Sequence, residues 1–479
     1  MPDADLVVVG CGPVGVMAAL RARQQGLSVI AVDRATEVYP LPRAIGMDDE
    51  IQRLFETAGL IEGLRTCSSP MGGAEFLDRH GERVIGIELP DGFIGPNGHP
   101  PVIAFDQPSV ERLLREAAVA AGAQLRLGVE VTAIDDAGPE HPVLTLDDGS
   151  TLTGRWVLGA DGARSTVRKL LDVSLEDQGF DEAWVVVDTT LLDPDLPLSA
   201  LATQHCDPAR VITYIPGHDT RRRWEFQFLD GETKAEMEDP ARIAELLAPW
   251  GSPEQLQVDR IAVYRFHATV AERLRVGDVF LAGDAAHQMP PFNGQGMCSG
   301  MRDVDNLAWK LAMVAAESAT DALLDTYETE RRPHATGQVE HAVDAGRLIN
   351  AIAQGGAEDY EAGYGGGRAF PHLERGFLVG DGRFVGRPLP QPVDDGGGFD
   401  RYLGAGISLL TTADTDVPAD LAARWASVGA CRIDTDPANF PGLVEPGTVV
   451  VVRPDRQIAA VTTDLGWATE VLTTLGLRL

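Results

Sequence analysis

Apolar positions along this chain follow two periodicities, and the places where one gives way to the other outline the architecture. Leu6-Val7-Val8-Val9 is a short unbroken apolar run. Val14, Met17, Ala18 and Ala22 then recur at helical spacing up to Gly26, and Val29-Ile30-Ala31-Val32 makes a second run. Unbroken runs suit strands covered on both faces, so the pattern predicts a strand, helix, strand unit of parallel sheet. Helices are also predicted over Asp49 to Ala58 and from Pro108 to about Ala121, the latter stopping before Gly122, where a left-handed cap costs little. Strands follow near Gln124 to Ile134 and Val143 to Leu146.

From about Glu182 to Phe266 the period changes. Trp184-Val185-Val186-Val187, Val211-Ile212-Thr213-Tyr214-Ile215 and Arg223-Trp224-Glu225-Phe226-Gln227-Phe228 predict an antiparallel sheet inserted as a second domain. Val279-Phe280-Leu281-Ala282 restores the buried-strand pattern, and a long helix carries Val304, Leu307, Ala308, Leu311, Val314 and Ala315 on one face. The stretch 354–399, with Gly365-Gly366-Gly367 and Gly396-Gly397-Gly398, predicts an irregular linker. A small α/β tail follows, with strands at Ile407 to Leu410, Ala430 to Asp434, Thr448 to Val452 and Ile458 to Thr462, and helices near Ala419 to Ala426 and Thr469 to Leu475. The expected division is a discontinuous first domain (1–75, 101–180 and 268–345), a sheet domain (76–100 and 181–267), a helical or irregular linker (346–399) and the tail (400–479).

The formal charge of −32 on 479 residues, with only Lys169, Lys234 and Lys310 as lysines, excludes the clustered cations that nucleic acid or an anionic membrane demands. Cys11, Cys67, Cys206, Cys298 and Cys431 are scattered and never spaced as a CxxC pair, so neither a disulfide framework nor a metal cluster is expected. The acidic start, Met1-Pro2-Asp3-Ala4-Asp5, is unlike a signal peptide, and no apolar run reaches the roughly 18 residues that span a bilayer; a cytoplasmic protein is expected.

Three motifs carry chemistry. Gly10-Cys11-Gly12-Pro13-Val14-Gly15 sits between the first strand and helix, where free amides and the helix dipole stabilise a diphosphate. Asp33 ends the second strand, placed to bind a ribose hydroxyl, so the pair predicts an adenine dinucleotide. The second motif, Trp156 to Ser165 with Asp161-Gly162 and Arg164, is another strand that turns into a helix; taken alone, Asp161 is as well explained as a helix cap. In the third, Gly283-Asp284 ends a strand and Pro290-Pro291-Phe292-Asn293-Gly294-Gln295-Gly296-Met297 leads into a helix. Asp284 suits the hydroxyls of a ribityl chain, and the Gly294–Met297 turn suits negative charge on a reduced flavin.

In this order and spacing the motifs resemble the flavin-dependent aromatic hydroxylases built on the p-hydroxybenzoate hydroxylase fold, and among them those acting on 3-(3-hydroxyphenyl)propionate. Pro42 to Glu50, Gln107-Pro108, Ser299 to Asp303, Asn306 to Leu311 and Glu330-Arg331-Arg332 join the likeness, which extends to about His334. The resemblance implies an α/β protein: a Rossmann-like FAD-binding domain, an inserted antiparallel-sheet substrate domain and a small thioredoxin-like C-terminal α/β domain. It implies FAD bound by Gly10, Gly12, Pro13, Val14, Gly15, Asp33, Arg34, Arg43, Gln107, Val131, Asp161, Arg164, Asp284, Pro291, Gly294, Gln295, Gly296 and Met297. NAD(P)H would be a transient co-substrate, because no second strand-flanked GxGxxG is present. Cys298 stands where the family usually has Asn, and Asp305 where it is small or apolar, so packing beneath the flavin is expected to differ there. With Cys431 as its lone cysteine, the tail is expected to be structural or an oligomer contact, as in a homodimer.

The implied chemistry is transfer of one oxygen atom from O2, through a flavin C4a-hydroperoxide, to a phenolic ring. The protein's share is to orient the ring, exclude water and help deprotonate the phenol. Candidates for catalysis are Tyr264, His267, His205 and Pro291, with Gln204, Tyr214 and Phe292 as substrate contacts; for the two histidines a structural role is the competing reading. The alternatives are a hydroxylase of polycyclic or antibiotic aromatics, a flavin epoxidase or reductase, and a non-catalytic FAD-binding scaffold.

Overall fold

The computed structural model describes residues 1–135, 141–355, 371–380, 382–394, 396–427 and 429–467. The glycine run at 365–367 and the helix expected near 469–475 lie outside them.

The first apolar runs form a parallel sheet. Its order is Arg275–Val276, Val279–Leu281, Thr151–Gly159, Ala4–Val9, Val29–Asp33, Gln124–Leu127. Along this path all pairings are parallel except the outermost hairpin, and Val131–Asp135 and Val143–Leu146 add an antiparallel extension to Thr151–Gly159. Val7, Val8, Ala31, Val32, Val157 and Val279 are fully buried because the helices Pro13–Gln24 and Gly296–Ala315 cover the sheet. The chain thus completes this domain with strands from its first third and a strand and helix near residue 300.

A second eight-stranded sheet runs His287–Gln288, Leu256–Ala271, Leu175–Leu191, Arg221–Gln227, Arg210–Pro216, Ala202–Asp207, Gly73–Leu77, Arg83–Glu88. It is antiparallel except where Ala202–Asp207 pairs parallel to Gly73–Leu77, since that hairpin comes from an earlier excursion of the chain. Its outer strand, His287–Gln288, belongs to the third motif and pairs with Thr269 and Val270, so the sheet is hydrogen-bonded to the motif beneath it. The helices Lys234–Met237 and Pro240–Leu247 bury one face against Val185, Val187, Tyr214, Trp224 and Phe226. The helix Ala322–Ala353 packs Leu348, Ile349 and Ile352 near Trp184, Cys206 and Val211 of the other.

The tail forms a four-stranded sheet, Cys431–Asp434, Ser408–Thr411, Val449–Val452, Ile458–Thr462, with the first pair parallel and the others antiparallel. This is the strand order expected of a thioredoxin-like fold. All five cysteines are free.

The tail is fixed to the first domain by buried charge. Glu330 receives Lys310 at 2.8 Å, Arg453 at 2.7 Å and the Asn306 amide at 2.6 Å, and Arg453 also reaches Asp455 at 2.6 Å. Burial would push the Glu330 carboxyl up, but Arg453 and Lys310 overcome it and hold it down at about 2. Burial brings Lys310 down to about 8 against the pull of Glu330. The folded value of Glu330 lies below its ordinary 4.5, so its stabilisation is complete above that pH and is lost as the pH falls toward about 2. Glu330→Gln strands two buried cations and is expected to cost about 3–5 kcal/mol, with a shallower acid-side loss of stability than wild type. Urea unfolding across that pH range measures both, and an unchanged midpoint would show the network to be energetically idle.

Candidate active site

The first strand ends at Val9, and the chain turns through Gly10 with φ +104°. A Cβ on Gly10 would stand 2.4 Å from the Ala160 carbonyl oxygen, and one on Gly15 would stand 1.9 Å from the Gly10 oxygen, so both positions are closed to any side chain. Gly12 is different: a Cβ there meets nothing within 4 Å. It is the N-cap of Pro13–Gln24, no side chain caps that helix, and Pro13 occupies its first turn. Free amides pointing into open space at a helix start are what a diphosphate needs. Asp33 accepts the Cys11 amide at 2.6 Å and the Ala35 amide at 2.7 Å, which fixes its carboxylate beside the turn. Burial, then Asp33, pushes the Cys11 thiol up to about 12, so it is inert.

The third motif reaches the same place from the other end of the chain. A Cβ on Gly300, in the second turn of Gly296–Ala315, would stand 2.7 Å from Val14 Cγ2 and 2.8 Å from Gly283 Cα. Small residues therefore bring the two helices and the Gly283-Asp284 turn together within a few ångströms of Val14. Gly296–Ala315 also starts without a side-chain cap and has no acidic residue in its first turn, and a Cβ on Gly294 or Gly296 meets nothing within 4 Å. Asp284 is open to solvent yet lies deep among protein atoms, as a group on a cleft wall does. That depth pushes its carboxyl up, against His287 and Arg43. Asp305 is answered by Arg21 of the first helix at 3.0 Å, which ties the two helices together.

Buried polar groups hold this arrangement. Asp303 accepts the Gly283 amide at 3.0 Å, His287 Nε2 at 2.7 Å and Arg331 Nε at 2.8 Å. Arg168 donates to the carbonyls of Ala285 and Ala163, joining the second and third motifs. Asp161 spends both oxygens on Ser165 Oγ and the amides of Thr166 and Val167, so its visible role is to cap the helix Thr166–Leu170. Gln107 accepts the amides of Arg43 and Ala44 at 2.8 and 2.7 Å. Arg43 itself is exposed and stacks on Tyr39. Arg34 is exposed near Glu130, Arg164 is exposed, Val131 is buried, and Pro291, Gln295 and Met297 lie half-buried or buried around the second helix start.

Strand parity separates the sheet candidates, since successive side chains point to opposite faces. Gln204, Thr213, Glu225, Val186 and Ala262 are paired directly across five strands and share one face, with Arg260, Asp188 and Arg223 on the next row of that face. Arg223 donates to the carbonyls of Pro42 and Arg43, each at 2.8 Å, and Arg260 donates to Pro42, so this face looks toward the first domain. Tyr264 lies on it too and is hydrogen-bonded to Arg260. Tyr214 and His205 point the other way. Tyr214 donates to the Ser199 carbonyl and packs on Trp224, and His205 lies against Trp250, where burial pulls its pKa down. His267 is 48% exposed, 3.6 Å from Asp181 at the surface. Phe292 is held edge-on by Phe180 and Trp184 and abuts Gly346. No individual role follows from the sequence for Asp188, Arg223, Glu225, Arg260, Asp303 or His287. Arg223 and Glu225, alternating with Trp224 and Phe226 in the strand Arg221–Gln227, were the available signal for two of them.

The free helix starts, the open space at Gly12 and the fixed carboxylates fit FAD, and comparison with known proteins agrees. Residues 3–342 match the FAD binding domain family. A 3-(3-hydroxy-phenyl)propionate/3-hydroxycinnamic acid hydroxylase of Klebsiella pneumoniae is 32% identical over 95% of this chain and 91% of its own. The protein of the same name from Shigella sonnei is 36% identical over 72% of this chain and 62% of its own length. Among solved structures, OxyS anhydrotetracycline hydroxylase from Streptomyces rimosus superposes with a TM-score of 0.80 at 26% identity, covering 99% of this chain and 100% of that one. The chain therefore belongs to the family of FAD-binding flavoprotein monooxygenases that includes the FAD-dependent aromatic hydroxylases.

Proposed function

We propose that the protein places one hydroxyl group on a phenolic ring, consuming O2 and NAD(P)H. The carrying observation is the meeting of two uncapped helix starts at Val14, Gly283 and Gly300 beneath a sheet whose inner face is polar. FAD, held by Gly10, Gly12, Gly15, Asp33, Asp284 and the Gly294–Met297 turn, supplies the oxygen chemistry. The chain's own residues do the rest. Amides at the Gly12 turn neutralise the diphosphate, and those at the Gly294–Met297 turn stabilise negative charge on the ring system. The sheet closes over the substrate and keeps water from the reacting carbon. The free thiols and the dependence on reduced nicotinamide suit a cytoplasmic setting.

The relatives' names support a phenolic acid such as 3-(3-hydroxyphenyl)propionate or 3-hydroxycinnamate. A second reading, an uncharged polycyclic phenol, is favoured by the inner face of the sheet. There Arg223 and Arg260 turn their guanidinium groups to Asp188 and to the Pro42 and Arg43 carbonyls rather than toward a ligand carboxylate. The likeness to OxyS over nearly the whole of both chains points the same way.

The purified protein is expected to be yellow, and its NAD(P)H oxidation to accelerate when the right phenol is added, with hydroxylated product matching nicotinamide consumed. Comparing hydroxyphenylpropionates with polycyclic phenols separates the two readings; no flavin absorbance in the purified protein even after addition of FAD and removal of the excess, or stimulation without product from any phenol, would defeat both. Gly12→Val adds a side chain in open space, so folding should be retained while FAD affinity falls at least about tenfold, roughly 1.4 kcal/mol. Fluorescence titration of the apoprotein with FAD measures it, and undiminished affinity would place the diphosphate elsewhere.

A further inference from the structure

We propose that Glu225 takes the phenolic proton of the substrate as its ring is hydroxylated. The inference rests on the hydroxylase reading above. Three rows of the sheet's inner face locate this residue. The row containing Trp184 is covered by Phe292 and the helix Ala322–Ala353, and the row containing Asp188 and Arg223 is occupied by the Pro42–Arg43 loop. Glu225 belongs to the row between them, flanked by Val186 on one neighbouring strand and Thr213 on the other. It therefore looks out between the Phe292 segment and the Pro42–Arg43 loop, and the proposal puts the ring to be hydroxylated there.

Its surroundings are unusual for a carboxylate. Glu225 is 3% exposed, accepts no hydrogen bond from any described residue, and its nearest cation, Arg223, is 3.9 Å away. Arg223 is committed elsewhere, to Asp188 at 2.7 Å and to two carbonyls. A carboxylate set this deep among protein atoms without a protein donor is completed by a donor from the substrate. The charged and titratable groups around it are Arg223 on its own strand, Asp188 on one neighbour, and Arg260 with Tyr264 beyond. Burial raises the carboxyl, Arg223 and Arg260 lower it, Asp188 raises it, and the net shift is upward, which makes it a stronger proton acceptor.

The step balances simply. The phenol O–H bond breaks, its electron pair stays on oxygen and enriches the ring carbon that receives the oxygen atom, and a new O–H bond forms on the Glu225 carboxyl, which returns the proton to water when product leaves. The oxidant is the O2 and the reductant the NAD(P)H of the proposed reaction.

Glu225→Gln tests this in the FAD-loaded enzyme by two readouts. Wild type should bind a phenol roughly tenfold to a hundredfold more tightly than its methyl ether, through a hydrogen bond to a charged acceptor, and the variant should lose most of that preference. Hydroxylation by the variant should rise with pH only as the free phenol ionises, whereas wild type should reach its plateau at lower pH. Glu225→Asp should restore part of both. An unchanged ether preference with an unchanged pH profile overturns the proposal, and so does loss of fold or FAD in both variants, which would make the carboxylate structural. Failure of wild type to hydroxylate any phenol overturns the hydroxylase reading instead, while the ether comparison still reports on Glu225.

Discussion

Two helix starts that no side chain caps, brought together from residues 13 and 296, are the constraint on which the molecule depends. Each exposes amide groups that cost free energy unless a polar or anionic ligand meets them. Bringing both to one place requires Gly10, Gly15 and Gly300 at contacts where any Cβ would collide, with Val14 as the common neighbour of Gly283 and Gly300. The parallel sheet thereby brings two positive dipole ends to one place.

Because that convergence is sequence-distant, the fold guards it with buried charge rather than with apolar packing alone. Asp303 gathers Gly283, His287 and Arg331 around the third motif, and Glu330 gathers Lys310, Arg453 and Asn306 around the attachment of the tail. Asp303 lies on the helix Gly296–Ala315 and Glu330 on the helix Ala322–Ala353, which pack together. Buried ion pairs add little net stability compared with apolar packing, but breaking one is costly, so these clusters permit few alternative ways of docking the parts. The tail, whose one cysteine is exposed, packs on the first domain through Arg453 and Asp455.

The sheet domain meets the cofactor domain along its inner face, and the division of labour there follows rows. One row grips the Pro42–Arg43 peptide, whose amide side Gln107 holds from beneath; the next presents Gln204, Thr213 and Glu225. The proposed substrate contacts and the grip on the Pro42–Arg43 loop are thus carried on neighbouring positions of the same strands. A displacement of the sheet by a ligand would be felt at once by the loop that carries Arg43. Relatives on this scaffold are named as hydroxylases of 3-(3-hydroxy-phenyl)propionate and of anhydrotetracycline, so the fold itself does not choose the substrate.

Local pattern alone determined the parallel unit around Gly10, the carboxylate at Asp33, the late return of the first domain at Val279 and all four strands of the tail. Each of these depends on residues close in sequence: unbroken apolar runs, turn glycines and helix spacing. Tertiary structure decided which face of each strand looks inward, because a two-residue period leaves the choice of faces to pairing register and to what covers them. That is why Gln204 and Tyr264 face the first domain while His205 and Tyr214, equally polar and aromatic in the sequence, lie on the outer face or in the core beneath the helices Lys234–Met237 and Pro240–Leu247. It is also why the sequence gives Glu225 no role: a glutamate between Trp224 and Phe226 stands out only once long-range pairing has buried it on the inner face without a protein donor.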